Sequence, residues 1–106
     1  MDLDNYQERT QETAVYPAQS AVEYLALGLN DESGEVAGAV KKYMRGDYGE
    51  DELRERLKGE AGDVLWYWVR LLDEMDLDAS EVMEANADKV FDRKERGVIR
   101  GDGDNR

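Results

Sequence analysis

The sequence predicts an all-α protein of one domain, a four-helix bundle that we expect to be completed by oligomerisation. Apolar residues recur every three or four positions over long stretches, and no alternating run is long enough to indicate a strand. The only proline is Pro17, so the long apolar stretches contain no helix breaker of that kind. A chain of 106 residues suits one domain, and a core of that size often needs long helices or a partner subunit.

Turn-forming residues mark the first two predicted helices. Asp4 and Gln7 resemble a capping box for a short first helix, which should end near Pro17. The second helix is predicted over residues 20–45. It should stop at the glycine-rich turn of residues 46–49, because this segment favours chain reversal over helix.

The remaining chain predicts two more helices and a tail. The third helix should cover residues 51–75. Asp78 with Glu81 resembles a capping box that opens a fourth helix, which should end near Gly97. We therefore expect a helical domain over residues 1–96 and a C-terminal loop or tail over 97–106.

The charge balance argues against a nucleic-acid partner. The net charge is -12, with 26 acidic and 14 basic residues, and no broad basic face can be assembled from this composition. A small phosphorylated ligand is still compatible, since a bound divalent cation attracts anions to an acidic site.

The residue types that are missing also limit the chemistry. Cys and His are both absent, which excludes disulfides, thiolate nucleophiles, imidazole bases and ordinary zinc sites. No stretch approaches the roughly 20 apolar residues that span a bilayer, and the acidic start does not resemble a signal peptide. We expect a cytoplasmic protein that is not bound to a membrane.

Each of the two long helices has an apolar stripe with one acidic interruption. Glu32 interrupts the stripe of the second helix and Glu60 that of the third. The second-helix stripe consists of Val22, Leu25, Leu29, Val36, Val40 and Tyr43. The third-helix stripe consists of Leu53, Leu57, Val64, Trp68, Leu71 and Met75. Each glutamate stands where an apolar residue would ordinarily pack.

A second carboxylate follows each of these glutamates at i+3, on the same helix face. These are Glu35 and Asp63, and antiparallel packing of the two helices would bring the pairs together. Clustered carboxylates need cations, basic partners or protons, and oxygen ligands favour Mg²⁺, Mn²⁺ or Ca²⁺. The alternative is that Glu32 and Glu60 lie at the solvated edge of their stripes, as most helical charges do.

The acidic motifs resemble those of the MazG-like nucleoside triphosphate pyrophosphohydrolases. The motifs are Glu32-Ser33-Gly34-Glu35 and, 24 residues later, Glu60-Ala61-Gly62-Asp63, which continues as Val64-Leu65-Trp66-Tyr67. The similarity extends to Tyr6-Gln7, Thr13, Tyr16-Pro17, Leu27-Gly28-Leu29, Lys41-Lys42, Asn86, Lys89, Arg93 and the closing Gly103-Asp104-Asn105-Arg106. Two positions depart from the family pattern, with Asp31 where Glu is common and Asp102 where Ser is common.

The resemblance implies an enzyme that cleaves a nucleoside triphosphate to the monophosphate and pyrophosphate, and the clearing of non-standard nucleotides is one role compatible with it. It implies a Mg²⁺ cofactor, replaceable by Mn²⁺, on Glu32, Glu35, Glu60 and Asp63, with Glu32 or Glu35 also as catalytic base. It further implies a homodimer or homotetramer whose subunits complete one another's sites. Wide apolar coverage of the third helix, including Trp66, Val69 and Leu72 off the main stripe, also favours an oligomer.

Six other residues are candidate substrate contacts: Lys41, Lys42, Tyr67, Asn86, Lys89 and Arg93. The last three are spaced to line one face of the fourth helix and would offer an amide and two cations to phosphate. Lys41 and Lys42 equally suit the C-terminal end of a helix dipole. Two functional alternatives remain open: an acidic helical interaction module without catalysis, and a MazG-like hydrolase of another phosphorylated substrate such as a phosphoribosyl compound.

Overall fold

The computed structural model describes all 106 residues and contains four α-helices and no strand, which confirms the all-α prediction. The helices are α1 (Leu3–Thr10), α2 (Ala21–Met44), α3 (Glu50–Glu74) and α4 (Ala79–Glu95). Short 3₁₀ turns occupy Gln11–Thr13 and Ala18–Ser20, between α1 and α2. None of the helices combines the length and apolar character that a membrane span requires.

The predicted limits of α2, α3 and α4 agree with the structure to within a residue or two. Helix α2 ends at Met44, and the positive φ of 90° at Gly46 lets the backbone N–H of Asp47 bond the Lys42 carbonyl at 3.0 Å. Helix α4 is capped by Asp78, whose carboxylate accepts a hydrogen bond from the backbone N–H of Ser80. No reciprocal bond from Glu81 completes the predicted capping box.

The prediction for α1 was wrong at both ends. Asp2, not Asp4, caps the helix, in a capping box with Asn5. The helix ends at Thr10, well before Pro17, because the hydroxyls of Thr10 and Thr13 bond backbone carbonyls three residues back, and the chain continues as a 3₁₀ turn.

Helices α2 and α3 form an antiparallel hairpin, and α1 packs against α3 and α4. The hairpin core is thin, since Leu25 and Val69 are the only large apolar side chains fully buried. Val69 was expected outside the main stripe of α3, so this assignment was wrong. Most of the predicted stripe residues are only half-buried, and Val22, Val40, Tyr43 and Met75 are exposed. The apolar faces of one chain are thus only partly covered by its own helices.

A buried arginine joins α1, α3 and the segment before α2. Arg70 is paired with Asp73 at 2.8 Å and Glu74 at 3.2 Å, and it donates to the Tyr16 hydroxyl at 3.0 Å. The amide of Gln7 extends this Arg70 network, donating to Asp73 at 3.0 Å and accepting from the backbone N–H of Ala79 at 2.8 Å. Every charged group at this end of α3 therefore has a partner.

Candidate metal centre

The α2–α3 hairpin places the two acidic motifs at the same height along the helix axes. Glu32 lies 12 residues before the end of α2, while Glu60 and Asp63 lie 10 and 13 residues after the start of α3. Because each residue rises about 1.5 Å along a helix, these positions are at matching heights above the loop. The tight loop of residues 45–49 fixes this register, and within it the Tyr48 hydroxyl donates to the Ala39 carbonyl.

Three of the four predicted carboxylates meet between the helices. One carboxylate oxygen from each of Glu32, Glu60 and Asp63 lies within 4.8 Å of the others, and the two glutamates are half-buried. Glu35 is exposed and stands outside this trio. No basic side chain forms an ion pair with any of the four.

The carboxylates of the cluster have no basic partner, and the pKa of Glu32 is raised. Burial raises the pKa of Glu32, and the charges of Asp63, Glu60, Asp31 and Glu35 raise it further. The charge of Asp63 also contributes, after burial, to a raised pKa of the Tyr6 hydroxyl on α1. The negative field of the cluster therefore reaches across the hairpin and into α1.

An open groove of about 330 Å³ begins one helical turn from the cluster. It is lined by Tyr24, Leu27, Gly28, Asp31 and Tyr67. The Tyr24 and Tyr67 rings lie 6.5 Å apart between centroids, and the ring of Tyr67 packs directly on Gly28. A Cβ on Gly28 would come 2.1 Å from this ring, so any side chain there would displace Tyr67.

Comparison with known proteins matches this architecture to one family. The family model for the MazG nucleotide pyrophosphohydrolase domain matches residues 20–98, about three quarters of the chain. The chain belongs to the MazG family. The match includes α2, α3 and α4, and thus both acidic motifs of the hairpin.

A phage protein is similar along the whole chain. The Gene 37 protein of Mycobacterium phage L5 is 40% identical over 114 aligned residues, which cover 100% of both proteins. No solved structure matches the chain significantly. The MazG assignment thus rests on the family model and on the agreement of the fold.

The candidate substrate contacts of this MazG chain are dispersed in the structure. Tyr67 lies beside the cluster, where burial, Tyr24 and then the charges of Glu32 and Asp31 raise its pKa. Lys41 and Lys42 are exposed at the end of α2, about 14 Å from Glu32 along the helix axis.

The contacts predicted on α4 are not paired with the acidic cluster of the MazG hairpin. Asn86 is exposed and makes no hydrogen bond through its side chain. Lys89 and Arg93 instead bind the carboxylate of Asp104, at 2.7 and 3.0 Å. Within the chain these two cations therefore make their ion pairs with the segment after α4 and not with the acidic cluster.

Several residues of interest had no assigned role in the sequence. Asp31 lines the groove next to Glu32, and Tyr6 lies near Asp63. The indole N–H of Trp66 bonds the Thr13 hydroxyl at 2.8 Å and its ring packs on Tyr67, while the subunit contact expected for Trp66 stays a prediction. The presence of both Tyr6 and Thr13 among the family-like residues was the only available signal for these contacts.

Proposed function

We propose that this MazG protein hydrolyses a nucleoside triphosphate to the monophosphate and pyrophosphate in a Mg²⁺-dependent reaction. The family indicates the nucleotide pyrophosphohydrolase class. The observation that carries the metal dependence is the trio Glu32, Glu60 and Asp63, which gathers negative charge between two helices with no basic partner. Such a cluster is costly to a fold unless it binds a cation.

The donor set fits a hard divalent cation. All three side chains offer oxygen, the ligand type that Mg²⁺ prefers, and one oxygen of each lies within 4.8 Å of the other two, so small side-chain movements would bring all three to one cation. Glu32, Glu60 and Asp63 would hold Mg²⁺ or Mn²⁺. When bound, the cation would neutralise charge on the phosphate oxygens and increase the acidity of a water molecule.

Glu35 and Glu32 are suited to different parts of the proton chemistry. Glu35 is exposed and outside the trio, which leaves its carboxylate free to accept a proton from the attacking water. The raised pKa of Glu32 reflects burial and like charge, so this side chain gains most when a cation is present. We therefore favour Glu35 as catalytic base and Glu32 as metal ligand.

The groove beside the cluster is suited to the nucleoside. Its aromatic walls, Tyr24 and Tyr67, offer stacking surface for a base, and Asp31 offers an acceptor for an N–H donor. Lys89 and Arg93 would contact phosphates, with weaker roles for Asn86, Lys41 and Lys42. Lys89→Ala should therefore impair substrate use more than folding, whereas Arg93→Ala should also reduce stability because that side chain is buried, and steady-state kinetics and melting curves would separate the two effects.

We also propose a homodimer or homotetramer as the active form. The accessible surface is 7747 Å², whereas a monomer of 12.1 kDa is expected to expose about 6000 Å². The radius of gyration is 16.6 Å, against about 13 Å for a globular chain of this length. A partner covering the apolar faces would remove this excess, and a monomer mass by light scattering at micromolar concentration would contradict the proposal.

A substrate panel tests the proposed function directly. Purified protein would be incubated with ordinary, deoxy and modified nucleoside triphosphates, with Mg²⁺, Mn²⁺ or a chelator, and pyrophosphate would be measured. We expect equal release of monophosphate and pyrophosphate that stops with the chelator. If only a phosphoribosyl compound were hydrolysed, the substrate would be of that class and not a nucleoside triphosphate. If no phosphorylated compound were hydrolysed, the result would favour an acidic interaction module.

A further inference from the structure

The last residues of the chain form an ordered loop built around Arg106. Its guanidinium donates to three backbone carbonyls of the same segment, those of Val98 at 3.1 Å, Ile99 at 3.1 Å and Gly103. Its own carbonyl accepts from the Arg96 side chain at 2.6 Å. The segment of residues 98–106, here called the Arg106 loop, is therefore closed by its final residue.

The glycines of the Arg106 loop are required by its geometry. A Cβ on Gly101 would lie 2.3 Å from Cδ of Arg106 and 3.2 Å from the Val98 carbonyl oxygen. Gly103 has a positive φ of 81°, a conformation that other residues rarely adopt. This backbone places Asp104 against α4.

Asp104 bridges two cations on one face of α4. Its carboxylate lies 2.7 Å from Nζ of Lys89 and 3.0 Å from Nη2 of Arg93, and its backbone carbonyl accepts a further bond from Nη2. The Arg93 side chain is only 9% exposed, whereas that of Asp104 is 75% exposed. The loop thus fixes a buried guanidinium and an ammonium group in one arrangement.

The bridge does not use all the donors of the two cations. In Arg93, Nε is buried without a partner and Nη1 makes no hydrogen bond to the chain. The ammonium group of Lys89 contacts only Asp104. Two positive charges facing one carboxylate leave the group net positive. A second anion is therefore still attracted to it, and it would meet side chains whose rotamers are already ordered.

We propose that Asp104 is a positioning residue, which the Arg106 loop holds in place so that Lys89 and Arg93 are aligned for a substrate phosphate. This inference rests on the proposed function, in which the two cations contact phosphate. Long basic side chains lose considerable rotamer freedom when they bind, and ordering them beforehand lowers that cost. The role of Asp104 is thus to improve phosphate affinity without itself contacting the reacting atoms.

The test compares Asp104→Asn with Asp102→Asn in the full-length chain. Asp102 lies in the same loop, is exposed and makes no side-chain hydrogen bond, so its variant removes the same charge without breaking the bridge. Asp104→Asn should raise KM about tenfold with little change in kcat, and Asp102→Asn less than about twofold. Asp104→Glu, which keeps a carboxylate, should recover part of the loss, and melting curves would verify that each variant folds.

A binding measurement separates this inference from the proposed function. Calorimetric titration with pyrophosphate and Mg²⁺ needs no turnover, and Asp104→Asn should weaken the binding by a similar factor. If no nucleotide is hydrolysed, the proposed function fails, and this titration alone decides on Asp104. Equal behaviour of the two Asn variants, tighter binding by Asp104→Asn, or no pyrophosphate binding by the unmodified chain would each overturn the inference.

Discussion

Helix α3 carries two groups of carboxylates that are neutralised in opposite ways. Glu60 and Asp63 meet Glu32 with no basic residue among them, whereas Asp73 and Glu74 share the buried guanidinium of Arg70. The second group begins at Arg70, about two turns of helix beyond Asp63. Both occupy positions where α3 faces a neighbouring helix or segment.

The difference separates a structural group from a candidate site. The Arg70 network satisfies its charges within the chain, so it stabilises the junction of α1, α3 and α4 and requires nothing from solvent. The carboxylates of the acidic cluster lie together without a basic partner, so the cluster needs a cation or a proton from solution to offset their repulsion. Substitutions in the acidic cluster should therefore affect activity, and substitutions in the Arg70 network should affect stability.

Glu60→Leu should separate activity from stability at the acidic cluster. We expect the release of pyrophosphate to fall at least roughly a hundredfold, because even groups that only support a metal ligand commonly cost 10- to 100-fold. The metal-free protein should be as stable as before or more so, since one of several like charges is replaced by an apolar side chain at a half-buried position. Pyrophosphate assays and urea unfolding in chelator would measure the two effects.

The matched control for this variant is Glu55→Leu. Glu55 lies on the same helix, is exposed and has no ion pair, so its replacement should change turnover little. Full activity in both Glu60→Leu and Glu32→Leu would rule out a metal site on these carboxylates.

Arg70→Met should have the opposite profile, with a large loss of stability. Removal of one partner of a buried ion pair leaves uncompensated charge, here on Asp73 and Glu74, and we expect a loss of about 3 kcal/mol in the free energy of unfolding. Arg54→Met is the control, because the Arg54 side chain is 74% exposed against 4% for Arg70. The control should change stability by less than about 0.5 kcal/mol. Similar urea midpoints for the two variants would show that the Arg70 network contributes little.

Magnesium should stabilise the protein through the acidic cluster. A ligand that binds only the folded state at a hundredfold excess over its Kd adds about 2.7 kcal/mol, which corresponds to a rise in Tm of roughly 10 °C in a domain of this size. Melting curves with Mg²⁺, with chelator and with sodium at equal ionic strength would measure it. We expect the shift to disappear in Glu60→Leu and to persist in Arg70→Met. A sodium control that matches magnesium would contradict a specific site.

The contrast also shows which features could be predicted from sequence. The interruptions at Glu32 and Glu60 were visible because helical periodicity is local, and the tight loop at residues 46–49 then fixed the register that brings them together. The limits of the long helices were predictable for the same reason, since Gly46 and Asp78 act through neighbouring backbone groups. The exclusion of Glu35 from the trio was not predictable, because spacing alone treats it like Asp63.

Helical periodicity did not predict the contacts of the Arg70 network or of the Arg106 loop. Gln7 and Asp73 are 66 positions apart, and no local pattern reports that they meet. Asp104 reaches Lys89 only because Gly101 and Gly103 allow the chain to fold back on α4. Long-range contacts between polar side chains depend on the packing of whole helices, which periodicity does not specify.

The smallest predicted effect is the pH dependence of the Arg70 network. Burial alone would raise the pKa of Asp73, but hydrogen bonds from Gln7 and Arg70 outweigh it and hold the pKa below the usual value of about 3.9. A carboxyl whose pKa is lower in the folded state stabilises the fold above its unfolded pKa and loses this contribution as pH falls through the folded value. Asp73→Asn should therefore lower the free energy of unfolding by about 1–2 kcal/mol at pH 7, which is the size expected for hydrogen bonds to a charged group.

This cost should stay constant down to about pH 5 and shrink below about pH 4, as the unmodified protein takes up the proton that the variant lacks. Urea unfolding of both proteins between pH 2.5 and 7 would measure the difference, at one fixed protein concentration because an oligomer's stability depends on it. Asp88→Asn, at an exposed position of α4 without hydrogen bonds, should change stability by less than about 0.5 kcal/mol. A cost for Asp73→Asn that remained unchanged at pH 2.5 would mean that packing of the side chain, not its charge, holds the Arg70 network together.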